Sequence, residues 1–293
     1  MLVKRATVCG YCMGVERAIA RVYKTLESYP DKTIVTLGPL IHNPHTLAEL
    51  EKKGVSIIKK PEDIKHPEHT IVMIRAHGVP PALAEEIGRS GADMVDATCP
   101  KVSVSQKRAA NYERAGYTIL IAGEKDHSEI VGILGYAPSA IVIRDLNEAL
   151  LASEAIKKEK GPFAKVVLLA QTTYSETTFE NIIVAVRDIL PSLEVEHTIC
   201  KATRDRQEAL LELCKDVDAV LVIGGKASAN TLRLKTIAED QGLPAWLVES
   251  EQDIPQEIYQ FERVGITAGA STPKEIIDRV EYKLVSAFPE TLS

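Results

Sequence analysis

The sequence predicts an α/β fold made of three similar units. Short continuous apolar runs, TIVMIRA, YTILIAG, KVVLLAQ and AVLVIGG among them, recur along the 293 residues. Such runs suit strands buried on both faces of a parallel sheet. Amphipathic stretches alternate with them, which points to helices crossing over between parallel strands. Each third of the chain also carries a cysteine, Cys12, Cys99 or Cys200, where a predicted strand gives way to a predicted helix.

In the first third the apolar runs 2–8, 33–38 and 70–76 predict strands. The amphipathic segments VERAIARVYKTLESY and PPALAEEIGRSG predict helices. A strand over 93–98 leads into the second third, where KVSVSQKRAANYERAG and FENIIVAVRDIL predict helices. Strands are expected there over 117–123, 140–145 and 165–171. A strand over 193–199 leads into the last third, with helices over RDRQEALLELCKDV and TPKEIIDRVEYKLVSAF and strands over 218–225, 244–250 and 263–269. The expected domains are 1–98 with Cys12, 99–199 with Cys99, and 200–293 with Cys200 and a C-terminal helix. Packed about a pseudo-three-fold axis, they would form a trefoil.

Composition narrows the function. Hydrophobic residues make up 45% and charged residues 26%, ordinary values for a soluble globular protein. The net charge of −6 gives no basic field for nucleic acid. No apolar run reaches the ~18 residues of a membrane span. The first residues, MLVKRATVCGYC, lack the apolar region and cleavage site of a signal peptide. A cytoplasmic protein is expected, with five cysteines that are buried, catalytic or metal-binding rather than a disulfide framework.

Similar polar groups follow the strands of each third. Cys12 is followed by His42 and His77, Cys99 by His127 and Thr172, and Cys200 by Ser228, Asn230 and Ser271. Ligands of parallel sheets bind at the carboxyl ends of the strands. Three thiolates converging there suggest an iron–sulfur cluster with one iron lacking a protein thiolate, open to substrate. The wide spacing weighs against a ferredoxin-like module. Cys9 and Cys12 form a CxxC, a weak signal alone; Cys214, within LLELCK, reads as a small buried hydrophobe. His42, His77, Ser228, Asn230 and Ser271 read as a cage for a phosphate or diphosphate, since histidine supplies charge and hydroxyls and amides fill the remaining oxygens. No glycine-rich nucleotide motif is present. Glu129, in His127-Ser128-Glu129, offers a proton donor, and equally suits a capping carboxylate in a first helical turn. Two other functions use similar parts: a non-redox open-iron dehydratase acting on another anionic substrate, and a non-enzymatic iron–sulfur redox sensor.

The segments GYCMGVERA, TLGPLIHNP, IRAHGV, VDATCP, HSE ahead of a helix, AQTT, TIC-x-AT-x-x-RQEA, GGKASAN and TAGAST run in this order from residue 10 to residue 272. Together they resemble the LytB or IspH family of 4-hydroxy-3-methylbut-2-enyl diphosphate reductases over nearly the whole chain. The resemblance implies a trefoil of α/β domains around one [4Fe–4S] cluster per chain, held by Cys12, Cys99 and Cys200. It implies diphosphate binding by His42, His77, Ser228, Asn230 and Ser271, and places His127, Glu129 and Thr172 near the substrate hydroxyl, with Glu129 delivering a proton. The implied reaction reduces an allylic alcohol diphosphate to isopentenyl and dimethylallyl diphosphates, with single electrons from ferredoxin or flavodoxin. The chain departs from the family pattern at Ala227, where Asn is common, and at Ala229, where Ser also occurs. Cys9 has no counterpart in the family motif.

Overall fold

Strands form where the apolar runs predict them, and every strand pairing is parallel. The computed structural model describes residues 1–287. In chain order the elements are β1 (Leu2–Arg5), α1 (Met13–Ser28), β2 (Thr33–Leu37), α2 (Pro44–Lys52), β3 (Ser56–Ile58), β4 (Thr70–Ile74), α3 (Pro81–Ser90) and β5 (Asp93–Asp96). There follow α4 (Pro100–Arg114), β6 (Thr118–Ala122), α5 (Ser128–Leu134), β7 (Ile141–Ile143), α6 (Leu146–Lys160), β8 (Val166–Ala170), α7 (Glu176–Ile189) and β9 (Glu194–Val195). The last are α8 (Lys201–Cys214), β10 (Ala219–Ile223), α9 (Ala229–Asp240), β11 (Ala245–Val248), β12 (Arg263–Ala268) and α10 (Lys274–Ser286). The expected C-terminal helix reaches to Phe288, which, with residues 289–293, lies outside the described residues. Among the described residues no helix is long and apolar enough to cross a membrane.

The strands make three four-stranded sheets, ordered β3-β2-β4-β5, β7-β6-β8-β9 and β1-β12-β10-β11. The chain separates into two compact units. One holds residues 17–40 and 51–200 and contains the first two sheets; the other holds 1–16, 41–50 and the chain from 201 onward and contains the third. In the first unit β4 and β8 are buried at every position, as their unbroken apolar sequences require. Leu120, Leu168, Phe179, Ile182 and Val186 form the centre of one of its cores. In the second unit Leu221, Ile223, Ile266, Ile277 and Val280 pack between the sheet and α10.

Two features differ from expectation. The strand at the start of the chain pairs with β12, register Leu2 to Arg263, and so completes the sheet of the last third rather than that of the first. Strand β3 and helices α2, α6 and α9 are absent from the predicted elements, and α5 is expected only as the helix behind HSE. β3 is short with two of its three residues exposed, so it carries no apolar run. α6 does have a start signal: Asp145 accepts the Glu148 N–H at 2.9 Å as an N-cap.

Each sheet has one topological switch point, where successive connections leave in opposite directions: between β2 and β4, between β6 and β8, and between β10 and β12. The backbone repeats there. The N–H groups of Gly38, Gly123 and Gly224, just past the first strand of each pair, donate to Ile58, Ile143 and Val248 at 2.8, 2.9 and 2.9 Å. Past the second strand, the carbonyls of Ala76, Thr172 and Ala270 accept from the N–H groups of Cys99, Cys200 and Cys12 at 2.9, 3.0 and 3.0 Å. The register of the repeat is thus set by hydrogen bonds. It makes Thr173 the counterpart of His77 and Ser271, and moves Thr172, expected to match them, to the position of Ala76 and Ala270.

Candidate active site

Each of the three cysteines directly precedes a helix: Cys12 before α1, Cys99 before α4 and Cys200 before α8. The Cys12 and Cys99 carbonyls accept N–H bonds from Glu16 and Ser103 at 3.0 Å, the first bonds of their helices. A side chain in this position stands at the end of a helix where free N–H groups gather. All three are half-buried. Arg206 braces the Cys12 turn from α8. It is 2% exposed, and its guanidinium donates to Gly10 O at 2.6 Å and Ala202 O at 2.8 Å. Gly10 takes φ +88°, a conformation that favours glycine. Cys9 and Cys214 differ in kind. Burial pushes both thiols above their usual pKa, and each packs against a hydrophobic core. Cys214 is therefore the small hydrophobe that its sequence context suggests.

In the unit holding the first two sheets, Glu129 and Thr172 meet. Glu129 stands on the first turn of α5 and is 1% exposed. The Thr172 N–H donates to its Oε1 at 2.8 Å and the Thr172 hydroxyl to its Oε2 at 2.6 Å. Burial raises the Glu129 pKa to about 7, against the opposing effect of the two Thr172 bonds. The carboxyl group does not cap its own helix. His127 does so: its Nδ1 accepts the Glu129 N–H at 3.1 Å. The His127 and His77 rings meet edge-on, with centroids 5.5 Å apart. A buried carboxyl group with its pKa raised to about 7 is equipped to give up a proton.

The other unit assembles the remaining polar residues. Ser228 caps α9 by accepting the Thr231 N–H at 3.4 Å. Asn230, on the first turn of α9, is buried, and its Nδ2 has no hydrogen-bond partner among the described residues. Buried donors are nearly always paired, so this amide has hydrogen-bonding capacity to spare. The Ser271 hydroxyl donates to the His42 carbonyl at 3.2 Å. That carbonyl also packs on Gly225, where a Cβ would come within 2.4 Å of it. Only glycine fits there, so the GGKASAN and TLGPLIHNP segments touch through main chain. Asn43, which sequence reading passed over, caps α2 through its Oδ1, accepting the Thr46 N–H at 3.0 Å and so fixing the backbone after His42. Gln171 was also missed as an individual residue, though it lies within AQTT. It is buried, with Oε1 accepting the Glu124 N–H at 3.0 Å and Nε2 donating to Thr173 at 2.8 Å.

Comparison with known proteins bears on this arrangement. A model of the LytB protein family matches residues 3–285. A Treponema denticola protein named 4-hydroxy-3-methylbut-2-enyl diphosphate reductase is 44% identical over 293 residues, covering 97% of this chain and 99% of that protein. An Oleidesulfovibrio alaskensis protein of the same name is 40% identical over 292 residues, covering 98% and 100%. Among solved structures, E-1-hydroxy-2-methyl-but-2-enyl-4-diphosphate reductase from Plasmodium falciparum has a TM-score of 0.88 at 26% identity, covering 97% of this chain and 88% of its own. A second structure, of (E)-4-hydroxy-3-methyl-but-2-enyl diphosphate reductase, has a TM-score of 0.67 at 34% identity, covering 98% and 100%.

Proposed function

Because this chain belongs to the LytB protein family, we propose that it reduces 4-hydroxy-3-methylbut-2-enyl diphosphate, the compound named for its relatives. The products are isopentenyl and dimethylallyl diphosphates, and the reaction is the last step of the non-mevalonate isoprenoid route. One C–O bond breaks and one C–H bond forms. Two electrons and two protons enter, and water leaves. The relatives are named as reductases, which supports neither a dehydratase nor a redox sensor.

The observation that carries this reading is the three-fold repetition of a helix-opening cysteine whose N–H is tied to the carbonyl at a sheet's carboxyl edge. Soft thiolates at helix starts suit an iron–sulfur cluster, the cofactor of this family. In this reading Cys12, Cys99 and Cys200 hold one [4Fe–4S] cluster, leaving one iron without a protein thiolate. When bound, the cluster supplies the electrons and Lewis acidity toward the hydroxyl to be lost. The electrons arrive singly from a ferredoxin or flavodoxin. A cytoplasmic location suits the reducing environment that such thiolates need.

The chain's own residues do the rest. Glu129 holds a proton at Oε1 or Oε2 and delivers it toward the leaving hydroxyl. Thr172 orients that carboxyl group through two hydrogen bonds. His127 fixes the start of the helix that carries Glu129. His42, His77, Ser228, Asn230 and Ser271 bind the diphosphate, which stays uncleaved and whose binding energy positions the carbon chain. Ala229 offers no hydroxyl, so the Asn230 amide carries more of the recognition on that helix turn.

The test is anaerobic turnover. Protein reconstituted with iron and sulfide, given a low-potential one-electron donor, should convert the allylic diphosphate to the two isomeric products. Recovery of unchanged substrate, or of a dehydrated diphosphate formed without electrons, would refute the reading.

A further inference from the structure

Arg75 occupies the switch point of the sheet β3-β2-β4-β5. It directly follows β4, as Gln171 follows β8 and Gly269 follows β12. In all three sheets the crevice is filled beside the matching glycine. A Cβ at Gly123 would lie 3.0 Å from the Gln171 Oε1, one at Gly224 2.8 Å from the Thr231 hydroxyl, and one at Gly38 2.7 Å from the Arg75 Nη1. The fillings differ chemically. Gln171 has both ends of its amide hydrogen-bonded. Arg75 is half-buried, and its Nε is enclosed without a hydrogen-bond partner among the described residues. Burial alone moves its pKa, downward, with no carboxylate opposing. A guanidinium nonetheless keeps its charge.

A partly desolvated cation with no counter-ion among the described residues is costly to the fold. This one stands at the carboxyl edge of the two central strands, where ligands of open α/β sheets bind. Its backbone begins the turn that presents His77: the Gly78 N–H donates to Arg75 O at 3.0 Å, and the Ala76 N–H to Leu40 O at 3.3 Å. The Arg75 guanidinium itself lies against Gly38, at the end of β2.

We propose that Arg75 is a substrate-binding residue whose guanidinium donates to a phosphate oxygen of the diphosphate. It supplies a permanent positive charge next to His77. This rests on the diphosphate reading above and adds to it a counter-charge that does not depend on histidine protonation.

The experiment is calorimetric titration of the cluster-reconstituted protein with inorganic pyrophosphate, comparing the parent with Arg75→Gln, Arg75→Lys and Asn230→Ala. Loss of one charge-assisted contact should weaken pyrophosphate about ten- to a hundred-fold in Arg75→Gln. Arg75→Lys, which keeps the charge, should lose less than about five-fold. In turnover assays Arg75→Gln should raise KM by a similar factor while kcat changes less than about three-fold. If Arg75→Gln binds pyrophosphate like the parent while Asn230→Ala binds weakly, the assignment of Arg75 is wrong and the diphosphate site stands. If Asn230→Ala is also without effect, the diphosphate reading itself fails. A lowered melting temperature with unchanged pyrophosphate affinity would make Arg75 a packing residue and overturn the proposal. Should Arg75→Gln not retain its cluster, Arg75→Met, neutral with a similar stem, carries the same comparison.

Discussion

Thr172 binds Glu129 at both carboxyl oxygens, through its N–H at 2.8 Å and its hydroxyl at 2.6 Å, and its own carbonyl accepts the Cys200 N–H at 3.0 Å. One residue therefore links the proposed proton donor to a proposed cluster ligand. The carboxyl group is fixed relative to Cys200 by main-chain and side-chain bonds, not by the flexible packing of a surface residue. Such pre-positioning is what a proton transfer to a leaving group needs.

Replacing Glu129 by Gln keeps its size and hydrogen bonding and removes the transferable proton. Turnover should fall by about 10²-fold or more. Pyrophosphate affinity and iron content should stay at parental values. Near-parental turnover with a saturating artificial donor would move proton delivery to His127, Thr172 or an ordered water.

The pH dependence follows from burial. Glu129 is protonated below about 7, so turnover should hold on the acid side and fall as pH rises through that value. The Thr172 hydroxyl bond favours the charged carboxylate. Thr172→Val should therefore raise the pKa further and shift the falling limb to higher pH. A shift to lower pH would contradict the assignment. Stability has the same origin. The native state holds a proton on Glu129 between its ordinary 4.5 and about 7, so it binds more protons than the unfolded chain there. The contribution of this group is fully present below 4.5 and is lost as pH rises through about 7. It amounts to roughly 3 kcal/mol at most. In anaerobic urea unfolding, Glu129→Gln should lose that decline.

Much of this was legible in the sequence, for physical reasons. β4, β8 and β10 are buried on both faces, so their apolar runs are unbroken and their strand character is local information. The pairing of β1 with β12 joins the two ends of the chain, and no periodicity within residues 2–8 encodes it. The cysteines were legible because each sits at a strand-to-helix boundary. Their matched hydrogen bonds, and the one-residue shift that puts Thr173 rather than Thr172 opposite His77, needed coordinates. Glu129 shows the limit most clearly. As sequence it suits a helix cap as well as an acid; only coordinates show that His127 makes the cap and that the carboxyl group meets a residue 43 positions away.

Arg206 provides a test of how the Cys12 turn is held. Arg206→Met keeps most of the buried volume and removes the donors to Gly10 O and Ala202 O. Stability should drop by about 1–3 kcal/mol. Iron should also leave faster to a chelator than in the parent. A loss of stability with unchanged iron release would restrict Arg206 to a packing role.

The cysteine assignment predicts a selective pattern. Cys12→Ser, Cys99→Ser and Cys200→Ser should each abolish stable cluster binding in anaerobic reconstitution, measured as iron and sulfide per chain. Cys214→Ala should bind a normal cluster, because that thiol packs against a core and burial raises its pKa.

The central claim is one cluster on three cysteines, with an iron left for substrate. Anaerobic Mössbauer spectroscopy of the iron-57-labelled protein, with and without the allylic diphosphate, tests it most directly. The account predicts four irons per chain, one of them spectroscopically distinct and changed by substrate while the others stay as they were. Four equivalent irons that do not respond to substrate, or a two-iron cluster, would contradict it.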